Sequence, residues 1–256
     1  MNSSTISTDF TFDSYANLLL ALRKTGYSFL SLESYLNNKK TKYIVLRHDV
    51  DRKPGQALEM AKIEKELGIQ ASYYFRIVAE SYNEPLIQEI AKLDHEIGYH
   101  YEELSLFNGD FELALKAFKA NLNKMRQFYP VKTFCMHGSP MSRWDNRLLW
   151  QMNDYKKFGL EIEPYFDLDF NEVFYITDAS RGWNNAKVTL RDKVESNFDF
   201  GIKSMQNILE LAQRNELPPK IMLNIHPHLW ADNFLLWLKI YLWQNFKNVI
   251  KRMMIH

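Results

Sequence analysis

The apolar positions of this chain alternate between short runs and helical stripes. Tyr43–Arg47 is a short, β-branched run and predicts a buried strand. Gly55–Leu67 predicts a helix, with Met60, Ile63 and Leu67 at helical spacing and Gly68 as its stop. Ala71–Arg76 predicts a second strand, Pro85–Leu93 a short helix with Pro85 at an allowed early position, and Ile97–His100 a third strand ending on a histidine. Phe111, Leu115, Phe118, Leu122 and Met125 form one apolar stripe of a longer helix, with Asp110 as its N-cap. Lys132–His137 (strand), Arg147–Met152 (helix), Val173–Thr177 (strand), Ile202–Gln213 (helix) and Ile221–Ile225 (strand) follow. The last segment, Asp232–Met253, predicts an amphipathic helix carrying Leu238, Leu242, Phe246, Val249 and Met253.

Strands alternating with helices imply a parallel sheet with helices outside it, an α/β class in which polar chemistry collects where strands end. With 256 residues and no linker, repeat or low-complexity stretch, the chain is expected to form one domain over 1–256. Lys and Arg (32) nearly balance Asp and Glu (31), which argues against a nucleic-acid partner. The single cysteine, Cys135, excludes an internal disulfide and reads as a small buried hydrophobe. The polar start MNSSTISTDFTF has no secretory pattern, so a cytoplasmic protein is expected. FLLWLKIYLW, interrupted by Lys239, is far short of the roughly 18–20 apolar residues of a membrane span.

Five clusters at strand ends carry candidate chemistry. Asp49 and Asp51, two residues apart, can project to one side of an extended segment, one as metal ligand and one as base. His100 closes a strand and precedes Glu102 and Glu103, a donor set that suits zinc or a similar divalent ion. His137 could be a ligand or touch substrate, and Gly138, followed by Ser139, allows close backbone approach. Asp178, Arg181 and Trp183 share one loop, a combination suited to a sugar. His226 follows an apolar run and could protonate a leaving amine. Each cluster alone is unspecific; their order, one per strand end, is the stronger signal. No Gly-x-Ser-x-Gly elbow is present, which leaves little room for a serine hydrolase.

In that order the sequence resembles the polysaccharide deacetylase superfamily, carbohydrate esterase family four, over roughly Tyr43 to Trp230. The resemblance implies a distorted (β/α) barrel with a mostly parallel sheet and a metal site at the carboxyl ends of the strands. Arg47-His48-Asp49-Val50-Asp51 stands where the family reads Thr-Phe-Asp-Asp-Gly, with one residue inserted between the acids. It is similar to the Asp-Val-Asp of the branch that deformylates lipid-linked aminoarabinose. By this match Asp49 is the base and Asp51 a metal ligand. Glu96-Ile97-Gly98-Tyr99-His100 matches the second motif, but its second histidine falls on Leu104. Glu103, Glu102 or His137 would then complete the metal set. No clean match to the third motif's arginine is present, and Arg47 and Arg143 are its candidates. Asp178 and Trp183 resemble the fourth motif, and Leu223–His226 the fifth, whose histidine is the general acid. The pattern is close to that of a deacetylase branch associated with surface polysaccharide and O-antigen (lipopolysaccharide) synthesis.

The expected activity is metal-dependent removal of an acetyl or formyl group from an amino-sugar nitrogen. Asp49, His226 and Asp178 would be catalytic, and one divalent metal, zinc for preference, would sit on Asp51, His100 and Glu103 or His137. Arg47, Tyr101, Glu102, Gly138, Ser139, Arg181 and Trp183 would meet the sugar or polysaccharide precursor. The alternative is a non-catalytic carbohydrate-binding pseudo-enzyme on the same scaffold, favoured by the leucine at 104. The C-terminal helix more often closes a core. Its Trp and Leu content, with Lys247, Lys251 and Arg252, also suits peripheral contact with the inner face of a membrane.

Overall fold

The computed structural model describes residues 9–184, 191 and 193–255, the last five by backbone alone. The polar start before Asp9 and the side chains of Lys251, Arg252 and Met253 lie outside the described residues. Helix α1 (Phe12–Lys24) opens on a capping box between Thr11 and Ser14. Strand β1 (Ser28–Leu30), α2 (Leu32–Tyr35), β2 (Tyr43–Val50), α3 (Pro54–Glu66), β3 (Ser72–Phe75), α4 (Glu84–Lys92) and β4 (Glu96–Tyr101) follow. Next come α5 (Glu103–Leu106), α6 (Phe111–Arg126), β5 (Phe134–Met136), α7 (Pro164–Asp167) and β6 (Phe174–Thr177). The chain ends with α8 (Met205–Gln213), β7 (Lys220–Ile225) and α9 (Phe234–Ile255). The expected cap at Asp110 is present, its carboxylate accepting from the Leu113 N–H. The helix expected at Arg147–Met152 is instead a 3-10 turn over Asn146–Trp150, and α8 starts after its Ser204 cap rather than at Ile202.

The strands are parallel, in the order β5-β4-β3-β2-β7-β6, with β1 beside β2. Strand β2 is central: β7 lines one side of it, while β1 (against Tyr43–Val45) and then β3 (against Arg47–Val50) share the other. The sheet curls into a half-barrel with helices around it, the distorted (β/α) barrel that the sequence implied.

Alternation along each strand divides the side chains between two apolar layers. Ile44, Leu46 and Val50 of β2, Ile97, Tyr99 and Tyr101 of β4, and Ile221, Leu223 and Ile225 of β7 pack under the helices. Tyr43, Val45, Tyr74, Cys135, Tyr175 and Met222 form a second cluster inside the curl. Arg47, Asp49 and Asn224 share the parity of that inner set. His48 has the opposite parity. It lies 2.7 Å from a Glu64 oxygen, and the Tyr15 and Tyr73 hydroxyls donate to the same carboxylate, which ties β2 to α1, α3 and β3.

Helix α9 departs from the pattern expected of a core-closing helix. Its inward residues include Ile240, Gln244 and Asn248, and Asn248 donates to the Ser180 carbonyl at 3.0 Å. Leu242, Phe246 and Val249, taken from the sequence as its apolar stripe, face outward. Among the described residues no helix is long and apolar enough to cross a membrane.

Gly98 pairs with Tyr74 in the β3–β4 register, and a Cβ at Gly98 would overlap the Tyr74 ring. Tyr74 is fully buried and its hydroxyl is 2.9 Å from Thr133 Oγ1, so the ring has nowhere to move. Gly98→Ala is therefore expected to destabilise the fold by about 1–3 kcal/mol through overpacking, read as a lower urea midpoint at unchanged slope.

Candidate active site

Inner-facing positions become polar toward the carboxyl end of each strand: Val45, Arg47, Asp49 and Asp51 through β2, Met222, Asn224 and His226 through β7. Below the rim, Arg47 forks onto Asp49, with Nε 2.8 Å from Oδ1 and a terminal nitrogen 2.6 Å from Oδ2. Asn224 Nδ2 donates to Oδ2 at 3.0 Å. Burial opposes ionisation of Asp49, but Arg47, His100 and His226 outweigh it and hold its pKa at about 2.

Asp51 stands one step higher, beside two histidines from neighbouring strand ends. Its Oδ1 lies 3.4 Å from His100 Nε2 and 3.6 Å from His137 Nε2. That oxygen is buried and makes no hydrogen bond. Each histidine uses its other nitrogen elsewhere: His100 Nδ1 on the Cys135 carbonyl at 3.0 Å, His137 Nδ1 on Glu102 at 2.8 Å. Both Nε2 atoms are thereby aimed at Asp51, with the outer partners usual for metal-bound imidazoles. Donors bonded at about 2.0–2.1 Å to a tetrahedral cation sit about 3.3 Å apart, close to the two distances measured from Asp51 Oδ1. The orphaned Asp51 oxygen and the two aimed nitrogens thus fit a divalent cation. A second set, Asp49, His100 and Cys135, brings ligand atoms within 4.8 Å of one another. It fits less well, because both Asp49 oxygens already accept hydrogen bonds and the Cys135 sulfur donates to the Met136 carbonyl.

His226 faces Asp49 from β7, its Nε2 3.9 Å from Asp49 Oδ2. Its Nδ1 donates to Asp178 Oδ1 at 2.7 Å, and its backbone N–H donates to the same oxygen at 2.9 Å. Trp230 Nε1 holds the other Asp178 oxygen at 2.6 Å. Burial would lower the His226 pKa, but the hydrogen bond and charge of Asp178, with Asp51 and Asp49, raise it to about 10. Asp49, Asp51, His100, His137 and His226 open on one cavity of about 960 Å³, whose wall also includes Glu102, Gly138 and Ser139.

Several expected site residues lie elsewhere. Glu103 is turned away, its carboxylate accepting from Tyr99, from Asn121 at 2.9 Å and from the Glu102 N–H at 3.1 Å; burial pushes its pKa up to about 7. Tyr101 is buried against Phe118, Phe134 and Trp150, where no sugar can stack on it. Trp183 packs on Phe10 and Trp230 and donates to Asp9. Arg181 lies over Phe10 and Trp237 and donates to the Leu229 carbonyl. Arg47 is fully buried beneath Asp49, so it orients that carboxylate rather than meeting a ligand. Glu102 reaches the cavity, bonded to His137 and Arg76; burial opposes its charge, but these two hold its pKa at about 2.

Four residues were missed. Asn224 shares the inner parity of β7 and was legible from it. Arg76 ends β3 as the other site residues end theirs, and contacts Glu102 and the Asp51 carbonyl. His228, two residues past His226, is buried in the cavity wall, and burial pushes its pKa well down. Arg191 donates to the carbonyls of Gly138, Ser139, Ser142 and Trp144, shaping that loop from a distance no local pattern reveals.

No protein-family model matches the sequence, and no curated protein matches it. Among solved structures, its neighbours are family 4 carbohydrate esterases. One from Bacillus anthracis shares 15% identity at a TM-score of 0.45, over 91% of this chain and 86% of that one. A CE4 esterase from Streptococcus mutans shares 13% at 0.47, over 90% and 89%. A CE4 family pseudoenzyme from Bacillus anthracis shares 12% at 0.44, over 82% and 63%.

The His226–Asp178 pair makes a pH-dependent prediction for the metal-stripped protein. A histidine raised to about 10 contributes stability that is full below its ordinary value near 6.5 and is lost as pH rises through about 10. In Asp178→Asn, NMR should show His226 titrating far closer to 6.5, and the stability gap from wild type should close as pH rises through about 10.

Proposed function

We propose that the protein is a divalent-metal-dependent hydrolase that removes an acetyl or formyl group from the nitrogen of an amino sugar, in the synthesis of a surface polysaccharide. The observation that carries this reading is the convergence of Asp51, His100 and His137 beside an ionised Asp49 and a protonated His226. A cation held by Asp51, His100 and His137 would polarise the acyl carbonyl and lower the pKa of water.

The chain's own groups divide the proton work. Asp49 is ionised at neutral pH and accepts the proton of the attacking water, its plane fixed by the Arg47 fork and by Asn224. His226 carries its spare proton on Nε2, because Nδ1 is committed to Asp178, and delivers it to the departing sugar nitrogen. Glu102 orients His137 through Nδ1, and Arg76 fixes Glu102 in turn. Leu104, the residue that favoured a non-catalytic carbohydrate binder, lies in the core, and His137 supplies the imidazole from another strand.

Metal analysis joined to an acetate and formate release screen on N-acylated amino sugars tests this reading. Purified protein should hold about one zinc or similar ion, lost in Asp51→Ala and in His137→Ala but retained in Glu103→Gln. Asp49→Asn should keep the metal and lose at least ~10²-fold in turnover, the usual scale for a general base. Protein that binds no divalent ion yet still binds sugar would establish the pseudo-enzyme instead.

A further inference from the structure

Helix α9 turns its apolar side away from the protein. Leu235 is 79% exposed, Leu242 60%, Phe246 57% and Val249 49%. Their spacings of seven, four and three place them on one stripe about four turns long. Trp243, Phe234 and Ile250 widen it, all exposed. The opposite side carries Gln244 and Asn248, hydrogen-bonded to each other at 2.9 Å and buried against the fold. A helix that buries amides and presents Leu, Phe and Trp to water is unfavourable unless something apolar covers it.

Charge indicates what covers it. Between Phe234 and Ile255 the helix has Lys239, Lys247, Lys251 and Arg252 and no acidic residue. Lys53 and Arg52 stand near Lys239, and Arg52 and Lys247 share the cavity wall, so cations crowd this edge. A second copy would bring the same cations against themselves, an arrangement that repels. An interfacial helix has this composition: apolar and aromatic residues on one side, lysine and arginine along it, too few apolar residues to span. The same helix supplies Lys247 and Ile250 to the cavity wall.

We propose that the outer face of α9 rests on an anionic phospholipid surface, with Leu235, Leu242, Phe246 and Val249 in the headgroup–acyl boundary and the cavity opening beside the headgroups. The docking does not depend on the hydrolase reading, and it is measured on protein stripped of metal.

The test is co-sedimentation of the full chain with vesicles of phosphatidylglycerol and phosphatidylcholine, and with phosphatidylcholine alone. The full chain should sediment with the anionic vesicles and bind at least ~10-fold more weakly to the neutral ones or in high salt. Leu242→Glu/Phe246→Glu, changed only at exposed positions, should lower anionic binding at least ~10-fold while circular dichroism stays unchanged. Lys239→Gln should weaken binding to anionic vesicles alone. Absence of wild-type binding to anionic vesicles at low salt overturns the proposal, whatever the variants do. So does a wild-type dimer in sedimentation velocity that the double variant dissolves without any vesicle binding, which would assign the face to a second copy.

Discussion

A charged pair buried in the middle of the sheet governs this site. Arg47 and Asp49 lie two residues apart on the central strand, both almost without solvent, each satisfied chiefly by the other. Either alone would be a buried, uncompensated charge, among the costliest defects a core can carry. Together they fix the plane of a carboxylate at the cavity floor, and Asn224 from the next strand donates to its second oxygen. The inner position one step up the same strand is Asp51. Its place at the rim therefore follows from β2 register, which the pairing with β7 and β3 sets along its whole length.

The other groups follow the same geometry at lower cost. His100, His137 and His226 each stand at or just past a strand end, where backbone carbonyls and carboxylates are available to hold one ring nitrogen. The result is two histidines aimed by their outer partners at Asp51, and one held protonated by Asp178. Opposite protonation demands within one cavity are met by neighbours rather than by exposure. Asp49 stays ionised because of Arg47, and His226 stays charged because of Asp178.

The alternation of strands and helices was legible because parallel strands buried on both faces read as apolar runs, and β2, β4 and β7 are such runs. The first forty residues were not: β1 is three half-buried residues, too short to show a period. Asp49, Asp51, His100, His137 and His226 were legible as strand-end groups, and the structure gathers all five. Tyr101 was misplaced although the same alternation decides it, since a strand that turns His100 inward turns Tyr101 outward. Glu103 was misplaced because a new helix starts there and the parity of β4 no longer applies. Trp183 and Arg181 belong to a hydrophobic corner with Phe10 and Trp237, contacts between distant parts of the chain that no local pattern carries.

The short edge strand β5 brings a consequence for robustness. It spans only Phe134–Met136 and pairs with β4 alone among the named strands, so few ladder hydrogen bonds hold it to the sheet. His137 follows it directly, while Asp51 extends the central strand. An ion shared between them would act as a rivet from the margin of the sheet to its middle, closing a long loop of chain without a covalent bond. Occupancy and local rigidity would then be a single property, and starvation for the ion would loosen the margin before it disturbed the centre.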